Sequence, residues 1–155
     1  IGIVDFRNIL KNSKTMKIMG KEYLKYEKLL NTEIKNKEIQ IRNKENDFLK
    51  SKDKISEKLY NERKKNLKQE ITKLQKFALD EKNKLKYSFQ KIQKKLNDVL
   101  ANIIKDISKK KGIDIVVLKE NIFLYNNTSL DLSSEALKVF DEKTKNLKIT
   151  AVNSK

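Results

Sequence analysis

The chain has 155 residues, of which 37% are charged and 37% apolar, with no Trp, Cys, Pro or His and a formal net charge of +16. A compact domain of this length carries more apolar residues and less charge, so only a small part can be packed core and a protomer so built gains from oligomerising. The composition excludes thiol chemistry and any cysteine-held metal, and no apolar run approaches the ~20 residues of a membrane-spanning helix.

The charge is uneven. Residues 1–49 hold 11 Lys/Arg against 7 Asp/Glu (+4), residues 50–111 hold 20 against 8 (+12), and residues 112–155 hold 6 against 6, net zero. A basic surface of this kind attracts polyanions, acidic proteins or anionic lipid headgroups. Enrichment in Lys is equally what a compositional habit of the source gives, but such a habit accounts less well for the asymmetry.

Ile1-Gly-Ile-Val-Asp-Phe6 is a short β-branched run and reads as a strand that must pair elsewhere in the chain. The chain opens there without Met or a signal-peptide pattern, as suits an exported protein freed of its leader, or a trimmed one. Arg7 to Lys11 suits a first helical turn, interrupted at Asn12 to Thr15, where Ser13 or Thr15 is a candidate N-cap. From Thr15 to Lys111 there is one glycine, Gly20, and the spacing predicts long helix.

Met16, Met19, Tyr23, Tyr26 and Leu30 step by three and four, a heptad seam. The seam then shifts by four to Ile34, Ile41 and Phe48, a stutter that locally unwinds a coiled coil. Residues 50–56 are polar and off the seam, and Ser56-Glu57 suits a helix start, which places a reversal there. A second helix is expected from about Glu57 to Lys111. Its seam is thin at Leu67, Ile71, Leu74 and Ala78, then dense at Leu85, Phe89, Ile92, Leu96, Val99 and Ile103, with Leu100, Ile104 and Ile107 as a second flank. A helix apolar over so wide an arc needs partners on more than one side. The two helices would span about 54 and 80 Å, so the surplus of the second must enter a base. Lys109-Lys-Lys-Gly112 is a strong stop signal.

Ile113 to Leu118 and Ile122 to Tyr125 read as two strands of a hairpin about Lys119-Glu-Asn121. Asp131-Leu-Ser-Ser-Glu135 opens a last helix, with Ser133 as the expected cap, and the final residues read as frayed. The expected fold is α+β. A small β body of about three strands is built from both chain ends, residues 1–14 and 97–155. A long antiparallel α-helical coiled-coil hairpin arm covers 15–96, with its tip near 50–56. The residues expected in the core of the body, or of an oligomer built on it, are Ile3, Val4, Leu96, Val99, Leu100, Ile103, Ile107, Ile115, Val117, Phe123, Leu137 and Phe140.

Ile1-Gly-Ile-Val-Asp-Phe-Arg7 with Asn12-Ser13 at one end, and Gly112-Ile-Asp-Ile-Val-Val-Leu118, Ile122-Phe-Leu-Tyr125 and Leu130-Asp-Leu-Ser133 at the other, resemble the Skp/OmpH family of bacterial periplasmic chaperones. The resemblance covers essentially the whole chain, the arm in character only. Lys14-Thr-Met16 stands where many members have Pro-x-Gly. The resemblance implies a jellyfish-like homotrimer, with a shared β body and three helical arms around a cavity. It further implies holding of unfolded outer-membrane β-barrel proteins in the periplasm without ATP, no catalytic site and no cofactor.

Residue reasoning adds candidate client contacts. Lys50, Lys52, Lys54, Lys58, Arg63, Lys64, Lys65 and Lys68 give long-range attraction for acidic clients and for anionic lipid or lipopolysaccharide headgroups. Tyr60, Phe77 and Tyr87, with Ile34, Ile41 and Phe48, offer apolar contacts. The plainer reading is that the lysines form a solvated face and the apolar residues hold the hairpin together.

The rival reading is a basic coiled-coil nucleic-acid-binding or structural protein. Against nucleic acid stand the lack of a recognised motif, the alternation of Lys with Glu in the first helix and the scarcity of base-reading arginines. A prefoldin-like holdase would carry its strands between the two long helices rather than outside them. An enzyme would need a constellation that a chain without His, Cys or a glycine-rich phosphate loop does not offer.

Overall fold

The computed structural model describes residues 1–148, so the expected fraying of the last residues lies outside the described part. In chain order the elements are β1 (Gly2–Val4), α1 (Phe6–Asn12), α2 (Lys14–Lys50), α3 (Glu57–Lys110), β2 (Val116–Leu118) and α4 (Ser133–Thr144). Short 3-10 turns lie at Lys52–Lys54, Lys119–Asn121 and Thr128–Leu130. The described residues divide into two compact units, one of 1–23 and 88–148, the other Leu24–Tyr87.

The first unit is organised by a two-stranded parallel sheet. Gly2, Ile3 and Val4 pair with Val116, Val117 and Leu118. On its other side β1 meets Asp131 through an isolated bridge at Ile3, where Leu132 N donates to the Ile3 carbonyl at 2.8 Å. The sheet covers a core of Val4, Ile9, Leu96, Leu100, Ile103, Ile104, Ile107, Leu132, Ala136 and Phe140. Met16, Met19, Ile92, Val99 and Leu137 pack against that core, partly buried. This is why the unit reaches Tyr23 and Ser88, nine residues further along each helix than the expected boundaries at 14 and 97. At its limit Tyr23 meets Phe89 edge to face, ring centroids 5.0 Å apart.

Two expectations for the tail are corrected. Ile122–Tyr125 is not a strand, and no hairpin forms with β2. A tight hairpin needs residues at positive φ. Lys119-Glu-Asn121 supplies no glycine, and among the described residues only Gly112 has positive φ. The segment instead makes a 3-10 turn. In consequence Phe123 is fully exposed and Ile115 is 57% exposed, so neither belongs to the core of the single chain. Ile3, Val4, Leu96, Leu100, Ile103, Ile107 and Phe140 are buried, and Val99, Val117 and Leu137 are half-buried.

The two chain ends are tied by polar locks. Ser13 is extended and caps α2, its Oγ accepting from Met16 N at 3.2 Å. Its hydroxyl donates to Asp141 Oδ1 of α4 at 2.6 Å, and Lys14 N donates to Asp141 Oδ2 at 3.1 Å. Thr15 and Thr144 hydroxyls meet at 2.6 Å, both residues buried. A carboxylate on the first N–H groups of a helix also complements its dipole. Near β1, Asp5 Oδ1 accepts from Asn8 N and caps α1, while Asp5 N donates to Ser133 Oγ at 2.8 Å. Ser133 therefore ties to Asp5 instead of capping α4 as expected. Asp131 accepts from Ser133 N at 2.9 Å and from the Tyr125 hydroxyl at 3.2 Å, with Lys119 Nζ at 3.6 Å. Burial pushes the Asp131 carboxyl up, but its hydrogen bonds from Ser133, with Lys119 and Tyr125, outweigh it and hold the group below the usual value. Tyr125 and Asp131 in turn hold Lys119 above the usual lysine range.

The end of α3 is a Schellman motif. Gly112 takes φ +66°, its N–H donates to the Lys109 carbonyl, and Ile113 N–H donates to the Ser108 carbonyl at 2.9 Å. Gly112→Ala is expected to cost about 1–2 kcal/mol, because a Cβ is strained in that conformation. Gly20 lies inside α2 with open space around it, so Gly20→Ala should stabilise the protein by about 1 kcal/mol. Urea unfolding of the two variants reads both signs. The depressed Asp131 carboxyl contributes stability that is fully present above its ordinary value of 3.8 and is lost as pH falls through its lower folded value. Asp131→Asn should therefore flatten the acid limb of the stability–pH curve, measured by thermal melts.

Candidate functional site

The second unit is the hairpin of α2 and α3 over Leu24–Tyr87. Ile34 is buried in its seam, and Ile41, Leu67, Leu74 and Phe77 are half-buried. This follows from the sequence spacing, since one side chain per turn faces the partner helix and the rest meet water. Ile34 is accordingly a packing residue, as the plainer of its two readings has it.

The reversal lies within the expected residues 50–56. The Ser51 hydroxyl donates to the Phe48 carbonyl at 2.9 Å as α2 ends, and Ser56 Oγ accepts from Leu59 N at 3.2 Å to start α3. Phe48 and Tyr60 stack across the turn with centroids 4.7 Å apart. Such a pair adds about 0.5–1.5 kcal/mol beyond its burial. Lys52 Nζ stands 6.0 Å from the Tyr60 ring. The turn thus gathers Lys50, Lys52, Lys54 and Lys58, all exposed, with Asp53 and Glu57 as the acids among them. Arg63, Lys64, Lys65 and Lys68 follow on the exposed surface of α3.

Of the aromatic candidates, Tyr60 is engaged with Phe48, and Phe77 lies under Lys37, whose Nζ is 5.1 Å from the ring. Tyr87 is 63% exposed. Leu24, Leu29, Leu49 and Leu79 are exposed as well, a set that the seam analysis passes over because none falls on the seam.

Two adjoining cavities open along the hairpin. One, about 250 Å³, is lined by Phe48, Arg63, Asn66 and Leu67, together with Asp47. The other, about 270 Å³, is lined by Lys37, Gln40, Ile41, Lys73, Leu74 and Phe77. They share Lys44 and Glu70, whose ion pair crosses between them at 2.9 and 3.0 Å. Sequence reasoning singled out Arg63 but not Lys37, Lys44 or Lys73. A signal was present: Lys37 and Lys44 repeat at seven, in step with Ile34, Ile41 and Phe48.

Residues 1–140 match the family model described as outer membrane protein (OmpH-like). In fold the chain is similar to a Caulobacter crescentus CB15 protein whose crystal structure is described as that of a candidate outer membrane chaperone (OmpH-like). That match has a TM-score of 0.87 at 13% identity and covers 96% of this chain and 88% of the other. No curated relative matches the chain in sequence. With nine-tenths of its length matched by one family model, the chain belongs to the OmpH-like family.

Proposed function

We propose that the protein is an ATP-independent periplasmic holdase that binds unfolded outer-membrane β-barrel proteins and keeps them soluble for delivery to the outer membrane. The observation that carries this reading is the helical hairpin of a chain from the OmpH-like family, with cations gathered at its turn and apolar side chains left exposed along it. A barrel strand in the unfolded state offers alternating apolar residues and unpaired edges that aggregate. Dispersed weak contacts hold such a chain without trapping it, and the field of Lys50, Lys52, Lys54 and Lys58 draws acidic segments in. Anionic lipid or lipopolysaccharide headgroups are further partners of the same charge.

The assembly that goes with this reading is a homotrimer holding clients between three arms. Its support lies in the first unit. The outer edge of β2 has no strand beside it among the described residues. The Ile122–Tyr125 segment has strand composition but no partner strand, and Ile115, Leu118, Phe123 and Leu124 are exposed around it. One chain thus offers an open edge and a segment of strand composition that could pair with another chain's edge, and such a head-to-tail contact gives a ring when its rotation closes.

A urea-unfolded outer-membrane barrel, diluted into buffer with the protein, is expected to stay clear by light scattering and to run in a complex containing three copies of the chain. Aggregation at the rate seen without the protein, while the protein itself is folded, overturns the reading. Phe123→Asp should lower the sedimenting mass to that of a monomer with helicity kept, whereas a core change such as Ile103→Asp would disturb the fold as well. Charge reversal of Lys50, Lys52, Lys54 and Lys58 is expected to weaken client binding at low salt about tenfold, with less effect at high salt. Unchanged affinity returns that cluster to a solvated face.

A further inference from the structure

The two cavities lie end to end along the hairpin with the exposed Lys44–Glu70 pair between them, and become one groove for a segment that parts this pair. Its floor is Ile41, Leu67 and Leu74, each half-buried and so still within reach of a ligand. Its walls carry Lys37 and Lys44 from α2 and Arg63 and Lys73 from α3, against the acids Asp47 of α2 and Glu70 of α3, a balance of two positive charges. Glu70 neutralises Lys44, and Lys37 reaches Glu33 only at 3.9 Å. Among the described residues Arg63 and Lys73 make no ion pair. From Arg63 to Phe77 the groove runs about 21 Å along α3, the length of about six residues of extended chain.

We propose that this groove seats an extended segment of unfolded polypeptide in which carboxylates alternate with apolar side chains; the proposal rests on the holdase reading and gives it a defined site. An extended chain turns alternate side chains to opposite faces, so its apolar row lies on the floor while its carboxylates face away from it. Lys and Arg stems are long enough to cover the rims and bring their charged ends to those carboxylates. A bare polyanion would gain nothing from the floor, and a purely apolar segment would leave the walls unused. Charge complementarity therefore selects the mixed segment.

The test uses the full-length protein and two labelled peptides, one alternating Asp or Glu with Leu, Val or Tyr, the other with Asn and Gln in place of the acids. Fluorescence anisotropy reads the affinities. The double variant Arg63→Glu, Lys73→Glu is expected to weaken the acidic peptide about tenfold or more and the neutral peptide less than about twofold. Lys17→Glu with Lys105→Glu makes the same change in net charge on exposed residues of the other unit and should leave both peptides unchanged. Leu74→Asn should weaken both peptides, with helicity checked by circular dichroism. Acidic-peptide affinity that is the same in the wild type and the Arg63, Lys73 variant overturns the groove, and leaves the holdase reading standing if the wild type still keeps an unfolded barrel soluble. A single-stranded oligonucleotide that loses affinity in that variant when the peptide does not overturns the choice of ligand. If the wild type holds no barrel soluble at all, the reading beneath the proposal fails first.

Discussion

The contact on which the first unit depends is the one between Asp141 and the start of α2. A single carboxylate accepts from the Ser13 hydroxyl and the Lys14 N–H. It thereby supplies a helix start with the anion its dipole favours. It also fixes α4 against the junction of α1 and α2, beside the buried Thr15–Thr144 contact. Polar groups so buried are costly unless satisfied, so these bonds specify one arrangement of the chain ends more than they add raw stability. The parallel pairing of β1 with β2 and the Ile3–Asp131 bridge then add backbone bonds to the same closure.

The second unit is built on an opposite economy. Its seam is thin, its turn is held by one aromatic stack, and its cross-helix ion pair is exposed and weak in stability terms. The division follows from composition: with 37% apolar residues the chain can fill one core and little more. What the hairpin lacks in packing it retains as surface, where apolar floor and cationic rim lie side by side. A surface of that kind suits ligands that are themselves mixed and extended.

Much of this was legible in the sequence, and the reasons are specific. Heptad spacing and the Lys109-Lys-Lys-Gly112 stop signal mark the long helices and the end of α3 because both depend on local chemistry. The polar Lys50–Ser56 stretch marks the reversal for the same reason. The tail departs from its local pattern, because there local and long-range terms compete. Ile122-Phe-Leu-Tyr125 has strand composition, but a strand needs an edge, and the turn before it cannot fold back. Ser133 looks like a cap, yet its hydroxyl oxygen accepts from the backbone N–H of Asp5, 128 positions away. Asp141 gave no sign of its role, because capping from another helix leaves no local pattern. The groove was half visible: the seven-residue recurrence of Lys37 and Lys44 could be read, but its alignment with Arg63 and Lys73 requires the register of two helices.

The parallel pairing of β1 and β2 has a consequence for how the chain reaches its fold. The strands are separated by the whole of α1, α2 and α3. Closing so long a loop directly from an unfolded chain is slow, because non-local contacts must form before any of them is rewarded. The helical hairpin has its shortest-range contact at the turn, Phe48 on Tyr60, so it can zip from there toward the ends. Once zipped, it sets the start of α2 alongside the last third of α3, as the Tyr23–Phe89 contact marks, and so shortens the effective loop between the strands. On that order the sheet closes last, and until it does β1 is an apolar strand without a partner, itself the kind of segment that a holdase exists to shield.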